Sequence, residues 1–206
     1  AKAAPDAVGA DGRTPLHLAT AAGRSAELLR RMLEAHPPAA ATPDVDGKLP
    51  LALALAGGDT SDDAAMLLAE AAPDAVGADG RTPLHLAAAA GRSAELLRRM
   101  LAVSPAWAKS VDTDGKLPLA LALARGDTSD DAVMLLVEAA DAVDADDRTP
   151  LHLAAAAGRS TELLRRMLAV SPAWAKSVDV EGKSPFLLLP SSASDEAMSL
   201  LFKESA

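Results

Sequence analysis

The 206-residue chain contains no cysteine. That removes disulfides, thiolate nucleophiles and cysteine-ligated zinc, and an intracellular, reducing compartment is the expected setting. Isoleucine, asparagine, glutamine and tyrosine never occur either. Without asparagine there is no acceptor for N-glycosylation. Aromatic side chains amount to two Trp and two Phe, so the core must be aliphatic. No apolar run approaches the ~18–20 residues of a membrane-spanning helix, the longest candidates being 49–56 and 185–190, and no membrane insertion is expected. Basic residues are outnumbered, 20 against 29 acidic, and the net charge of −9 argues against a nucleic-acid partner. The opening AKAAPD has neither an initiator Met nor a signal-peptide apolar core, as an excised or processed piece would.

What is abundant is alanine, 49 residues, and leucine, 32. Such a composition suits helices packed closely through small side chains. The length allows one domain or two small ones. Internal repetition decides how that material is organised. Residues 81–112 read RTPLHLAAAAGRSAELLRRMLAVSPAWAKSVD, and 148–179 repeat them with one change, Ala94 to Thr161. Residues 13–45 are a looser copy. The Arg-Thr-Pro-Leu-His starts fall at 13, 81 and 148, which are 68 and 67 residues apart. The shorter interval lacks a counterpart of Pro73. Midway lie Asp46-Gly-Lys-Leu-Pro-Leu, Asp114-Gly-Lys-Leu-Pro-Leu and Glu181-Gly-Lys-Ser-Pro-Phe, echoes of Asp11-Gly-Arg-Thr-Pro-Leu. The fundamental period is thus 32–35 residues. Repeats are expected near 11–45, 46–78, 79–113, 114–145, 146–180 and 181–206, with 1–10 as the tail of a preceding one.

Local signals within a copy agree on two short helices. Thr14-Pro15 offers an N-cap followed by proline at the first helical position. Leu16, Leu18 and Ala19 make an apolar stripe, and Gly23 stops the helix. Ser25 caps a second helix over 26–35, with Leu28, Leu29, Met32 and Leu33 on one face. A helix pair of this size cannot bury both faces alone, so neighbours must stack into an elongated, all-α helix-turn-helix solenoid.

Asp-Gly-Arg-Thr-Pro-Leu-His-Leu-Ala, followed by a second helix carrying Leu-Leu, resembles the ankyrin repeat. The resemblance covers essentially the whole chain as a single domain. Three Thr-Pro-Leu-His motifs match fully, while the intervening copies place Leu49 and Leu117 at the Thr position and Ala52 and Ala120 at the His position. It implies a non-catalytic scaffold that binds a partner protein through the concave face, made of turn tips and first helices. A permanent structural or linker subunit of a larger assembly is the alternative. An outer surface of mixed charge suggests a monomer when the chain is alone.

Reactive groups are spread along the array. His17, His85 and His152 occupy one slot in three repeats, roughly 20 Å apart if layers sit ~10 Å from each other, too far for one catalytic pocket. The family instead implies an imidazole bonded to the Thr hydroxyl and a neighbouring loop. His36, before Pro37-Pro38, reads as a loop residue. Asp62-Asp63, Asp130-Asp131 and Asp146-Asp147 lack the ordered oxygen ligands of a calcium loop, and Asp62-Asp63 suit a helix N-terminus capped by Thr60 or Ser61. Gly57-Gly58 lacks the spacing and lysine of a phosphate loop. Neither cofactor nor metal is expected. Arg30-Arg31, Arg98-Arg99 and Arg165-Arg166 follow Glu27, Glu95 and Glu162 at ion-pair spacing.

Candidate binding residues form a column at the tips, Arg13, Lys48, Arg81, Lys116, Arg148 and Lys183, each with an acid two residues earlier. Binding and self-neutralisation weigh equally there. Alanine pairs at the ends of the first helices, with Arg125 in the fourth copy, would make a smooth groove. Trp107 and Trp174 complete the set, either as exposed anchors or as indoles folded over the junction between second helices. Faithful copying of whole units favours the folded arrangement.

Overall fold

A computed structural model describes residues 8–57, 60–140 and 142–205. The expected repeat tail at 1–10 lies outside the described residues as far as residue 7. So do Gly58 and Asp59 before the second helix of the second copy, and Asp141 beside the one-residue deletion.

Eleven α-helices are described: α1 (Pro15–Ala21), α2 (Ala26–Ala35), α3 (Pro50–Ala56), α4 (Asp62–Ala71), α5 (Pro83–Ala89), α6 (Ala94–Val103), α7 (Pro118–Arg125), α8 (Asp130–Ala140), α9 (Pro150–Ala156), α10 (Thr161–Val170) and α11 (Asp195–Ser205). No strand occurs among the described residues. First helices pack in one row, α1 on α3, α3 on α5, α5 on α7 and α7 on α9. Second helices pack in another, α2 on α4, α4 on α6, α6 on α8, α8 on α10 and α10 on α11.

Two chemistries start the first helices. In the odd copies Thr14, Thr82 and Thr149 accept the backbone N–H of the histidine three residues on, while that imidazole accepts the threonine N–H, a reciprocal capping box. In the even copies Leu49 and Leu117 make no cap hydrogen bond but are buried. A lost cap costs about 1 kcal/mol, and burying a leucine side chain returns about 2 kcal/mol. Packing therefore compensates for the missing hydroxyl.

The row of first helices is built on alanine. Ala54, Ala87, Ala122 and Ala154 are fully buried, and their small side chains let neighbouring backbones approach. The leucine stripe needs correction in two places. Leu18 is exposed, while Leu16, His17, Ala19 and Thr20 of its helix are buried in the stack. Leu28 is 40 % exposed, whereas its equivalents Leu96 and Leu163 are fully buried. Those two meet a preceding helix pair, and Leu28 meets none among the described residues.

Serines cap the second helices as expected: Ser25, Ser61, Ser93 and Ser160 each accept the N–H three residues on. Each odd-copy second helix ends at a residue preceding proline, which is driven into extended backbone, and a 3-10 turn follows at Pro37–Ala41, Pro105–Lys109 or Pro172–Lys176. In the last copy a 3-10 turn, Pro185–Leu188, replaces the first helix. Pro190 stands where Leu123 lies inside α7, and it has no N–H to give the Phe186 carbonyl, so an α-helix cannot continue through it.

Candidate partner-binding face

The turn tips form a third row beside the first helices. Each is closed by an amide donating to the carbonyl three residues back, as in Gly47 to Asp44 (2.9 Å) and Gly115 to Asp112 (2.9 Å). The closing residue has positive φ, glycine in five copies and Asp147 (φ 58°) in the fifth. Adjacent tips are joined by backbone bonds: Val45 N–H to Asp11 O, Ala78 to Gly47, Thr113 to Asp79, Ala145 to Gly115 and Val180 to Asp146, at 3.0–3.1 Å. A Cβ on Gly47 would collide with that of Ala78, so glycine there serves close approach as well as dihedral freedom.

The three slot histidines hold the tips against the helices. His17, His85 and His152 are fully buried. Their Nε2 atoms lie 3.0–3.1 Å from the carbonyls of Lys48, Lys116 and Lys183 in the next tip. A carbonyl only accepts, so Nε2 carries the proton. Nδ1 then accepts from the threonine amide and hydroxyl, the latter at 2.8–2.9 Å. Each imidazole is thus neutral with its bonding capacity filled. Burial pushes the pKa values of His85 and His152 below the usual histidine range, against the backbone and carboxylate groups that oppose it.

Four aspartates organise the tips that follow them. Asp44, Asp112, Asp144 and Asp179 are buried, and each Oδ1 accepts two amides, two and four residues on, at 2.9–3.0 Å. At Asp44 and Asp112 burial raises the carboxyl pKa, but the amides and the Arg13 or Arg81 guanidinium outweigh it and hold it below the ordinary carboxylate range. At Asp179 the Lys183 amide leads in the same direction. An available signal was the recurrence of Asp two residues before Asp/Glu-Gly-Lys, the spacing of an Asx turn.

These carboxylates divide the cation column into two kinds. Arg13, Arg81 and Arg148 each lie between an acid of their own tip and the buried aspartate of the next, with N···O separations of 3.2–3.8 Å. They are committed to the array. Among the described residues Lys116 and Lys183 pair only with Asp114 and Glu181 of their own turns, and they stay about half exposed. Lys48 makes no ion pair among the described residues. Arg125 grips Asp127 through two bonds (2.9 and 2.8 Å) and donates to the Ala89 carbonyl of the previous copy, so it bridges layers too.

The indoles diverge. Trp107 is buried and its Nε1 donates to the Pro73 carbonyl (3.1 Å), which corrects its candidacy as an exposed anchor. Trp174 is only half-buried, at the junction where the counterpart of Pro73 is deleted. On the second helices Arg98 pairs with Glu95 and Arg165 with Glu162, as the spacing suggested. Arg99 and Arg166 instead cross to Asp63 and Asp131 of the preceding copy. Arg92 and Arg159 do so more deeply. Each reaches the start of the preceding second helix, donating to the Thr60 or Thr128 carbonyl (2.7 Å) and to the Asp62 or Asp130 carboxylate (2.5 and 2.7 Å). Among the described residues no three His, Asp or Glu gather as a metal site, and no helix is long and apolar enough to cross a membrane.

Two equivalent pockets lie between the tips and the first helices. One, of about 100 Å³, is lined by Lys48, Ala52, Asp79 and Leu86 among others. The other, of about 160 Å³, is lined by Lys116, Ala120, Asp146 and Leu153 among others. Both have an aliphatic floor and a rim of both signs. They recur at the long 67–68-residue interval because Leu86 and Leu153, unlike Leu18, follow an even-copy tip.

Comparisons with known proteins agree with this architecture. A family model for three copies of the ankyrin repeat matches residues 84–174, and a model for a single ankyrin repeat matches 11–43. Among solved structures, the ankyrin repeat domain of human ASB11 is similar in fold, with a TM-score of 0.73 at 23 % identity; the alignment covers 100 % of this chain and 89 % of that one. No curated protein matched. With motif, helix pair, stitched tips and two family models in agreement, the chain belongs to the ankyrin-repeat family, whose members are generally non-catalytic modules of protein–protein interaction.

Proposed function

We propose that this chain is a non-catalytic scaffold that binds a partner protein on its concave face. The twin pockets carry the reading. Each offers a floor of leucine and alanine beside a half-exposed lysine, and they lie two layers apart, roughly 20 Å at ~10 Å per layer. A partner segment that presents two short apolar side chains at that interval, flanked by polar groups, fits both. The tip arginines, buried aspartates and imidazoles act as supports, and this rigidity lowers the ordering cost of docking. Lys48, Lys116 and Lys183 supply contact and orientation.

A photo-crosslinking residue placed at Ala52 or Ala120, on the pocket floor, tests this against placement at Arg98 or Glu162 on the helix backs. The partner is expected to be captured from the first pair of sites alone. Capture only from the helix backs would overturn the concave-face reading.

A further inference from the structure

We propose that the larger of the two pockets, between the tips that open the fourth and fifth copies, takes an arginine side chain of the partner, with Asp144 as acceptor of its guanidinium. This rests on the concave-face reading and sharpens it by naming one side chain of the bound segment. Inside the array a buried tip aspartate has a regular companion. The Oδ2 atoms of Asp44, Asp112 and Asp179 each face the arginine of the tip before, Arg13, Arg81 or Arg148, at 3.5–3.8 Å. Asp144 is the fourth such carboxylate, 8 % exposed, with its Oδ1 filled by the amides of Asp146 and Arg148. The tip before it offers Lys116, which pairs with Asp114 instead (3.5 Å). Among the described residues no hydrogen bond or ion pair reaches Oδ2 of Asp144, and Asp144 lines the pocket.

The pocket supplies the rest of an arginine site. It holds about 160 Å³, and Ala120, Leu121 and Leu153 give it an aliphatic wall for the methylene stem. Asp114 and Asp146 add carboxylates to its lining. A guanidinium is a planar fork of five donors, suited to several carboxylate oxygens at once. Arg148, the other cation there, is already held by Asp146 and Asp179. The smaller pocket lacks this device: Gly77 stands at the place of Asp144, so no buried carboxylate opens into it. The two pockets are therefore graded, one for an apolar side chain and one for an arginine two layers further on. That difference fixes the direction in which a bound segment lies.

Titration of the whole isotope-labelled chain with N-acetyl-arginine amide, followed through amide NMR shifts, tests this. Saturable shifts are expected at Asp146 and Arg148, whose amides Asp144 holds. The lysine analogue should bind more weakly, and the norleucine analogue should leave those amides unmoved. D144N keeps an oxygen for the two amides but removes the charge, and should weaken the arginine probe by roughly tenfold or more. D144G copies the tip of the third copy, which has glycine there, and should abolish the response. The three probes compared on the unaltered chain need no variant, so the test holds even where a variant unfolds. No response to the arginine probe, an equal response to norleucine, or an undiminished one in D144N would overturn the proposal. So would a response seen only in K116M, because Lys116 would then be the occupant of Asp144. Capture of the partner from Ala52 alongside a failed arginine titration would refute the pocket assignment and leave the concave-face reading standing.

Discussion

Two arginines on neighbouring turns of one layer reach back to adjacent aspartates of the layer before, which gives an internal comparison of buried and exposed ion pairs. The Arg159 side chain is 9 % exposed and makes three contacts: to the carbonyls of Gly126 (3.2 Å) and Thr128 (2.7 Å) and to Asp130 (2.7 Å). Arg166 reaches Asp131 at 3.2 Å with its side chain 39 % exposed and the carboxylate almost wholly in water. Hydrogen bonds to a charged group contribute about 1.5–3 kcal/mol each when shielded, and they are not additive. Arg159→Ala also strips a half-buried helix start of its donors, so about 2–4 kcal/mol is expected. Arg166→Ala is expected to cost about 0.2–1 kcal/mol, the range of surface pairs. With a urea dependence of about 2 kcal/mol per molar, the first variant lowers the midpoint by ~1–2 M and the second by less than ~0.5 M. Equilibrium urea unfolding by circular dichroism reads both. Equal shifts, or a smaller one for Arg159→Ala, would show that burial of the guanidinium does not set the strength of this junction.

Acid should act in two stages. His85 and His152 have folded pKa values below 6.5, so the unfolded chain binds protons first. Their contribution is complete above about pH 6.5 and is lost as pH falls from there toward the depressed folded values. Asp44, Asp112 and Asp179 have folded values below 3.8, so their contribution persists to about pH 4 and is lost below it. A thermal midpoint that does not fall between pH 7 and pH 5 would contradict the neutral-imidazole assignment. Gly47→Ala should destabilise by about 1–3 kcal/mol, because its Cβ meets that of Ala78 and the collision adds to the left-handed dihedral. Gly182→Ala has the dihedral (φ 76°) without a neighbour within 4 Å and should cost about 1 kcal/mol in the same unfolding assay. Acrylamide quenching of the single-tryptophan variants should find Trp174, in W107F, more accessible than Trp107, in W174F; equal quenching would contradict the unequal burial of the two indoles.

Periodicity and capping residues carried the helix pairs, because Thr-Pro, Gly-Arg-Ser and the Leu-Leu face act locally and need no partner. The threonine–histidine bond could be inferred from family resemblance, and the histidine's second bond to the next tip fitted the same picture. Contacts between layers were harder to read. Asp44 and Asp46 look alike in sequence, yet one is buried under two amides and the other faces solvent, a difference made by the turn alone. The two tryptophans sit in identical pentapeptides, Ser-Pro-Ala-Trp-Ala, and differ in burial because the junctions that receive them differ by one residue. Leu86 and Leu153 became pocket floors only through the tip of the preceding copy. Pro190 gave a local warning that the last first helix would be short, and the 3-10 turn at that position answers to it.

The alternation of arginine-bearing and aspartate-bearing layers restricts how a gene for such a protein can lengthen or shorten. Removing one 33-residue copy would press Arg92 against another odd layer, whose second helix begins with a single glutamate in place of the paired aspartates. Two cationic layers would then face each other without their counter-charges. Duplication or loss by 67–68 residues keeps every seam in register, and that is the interval separating the near-identical residues 81–112 and 148–179.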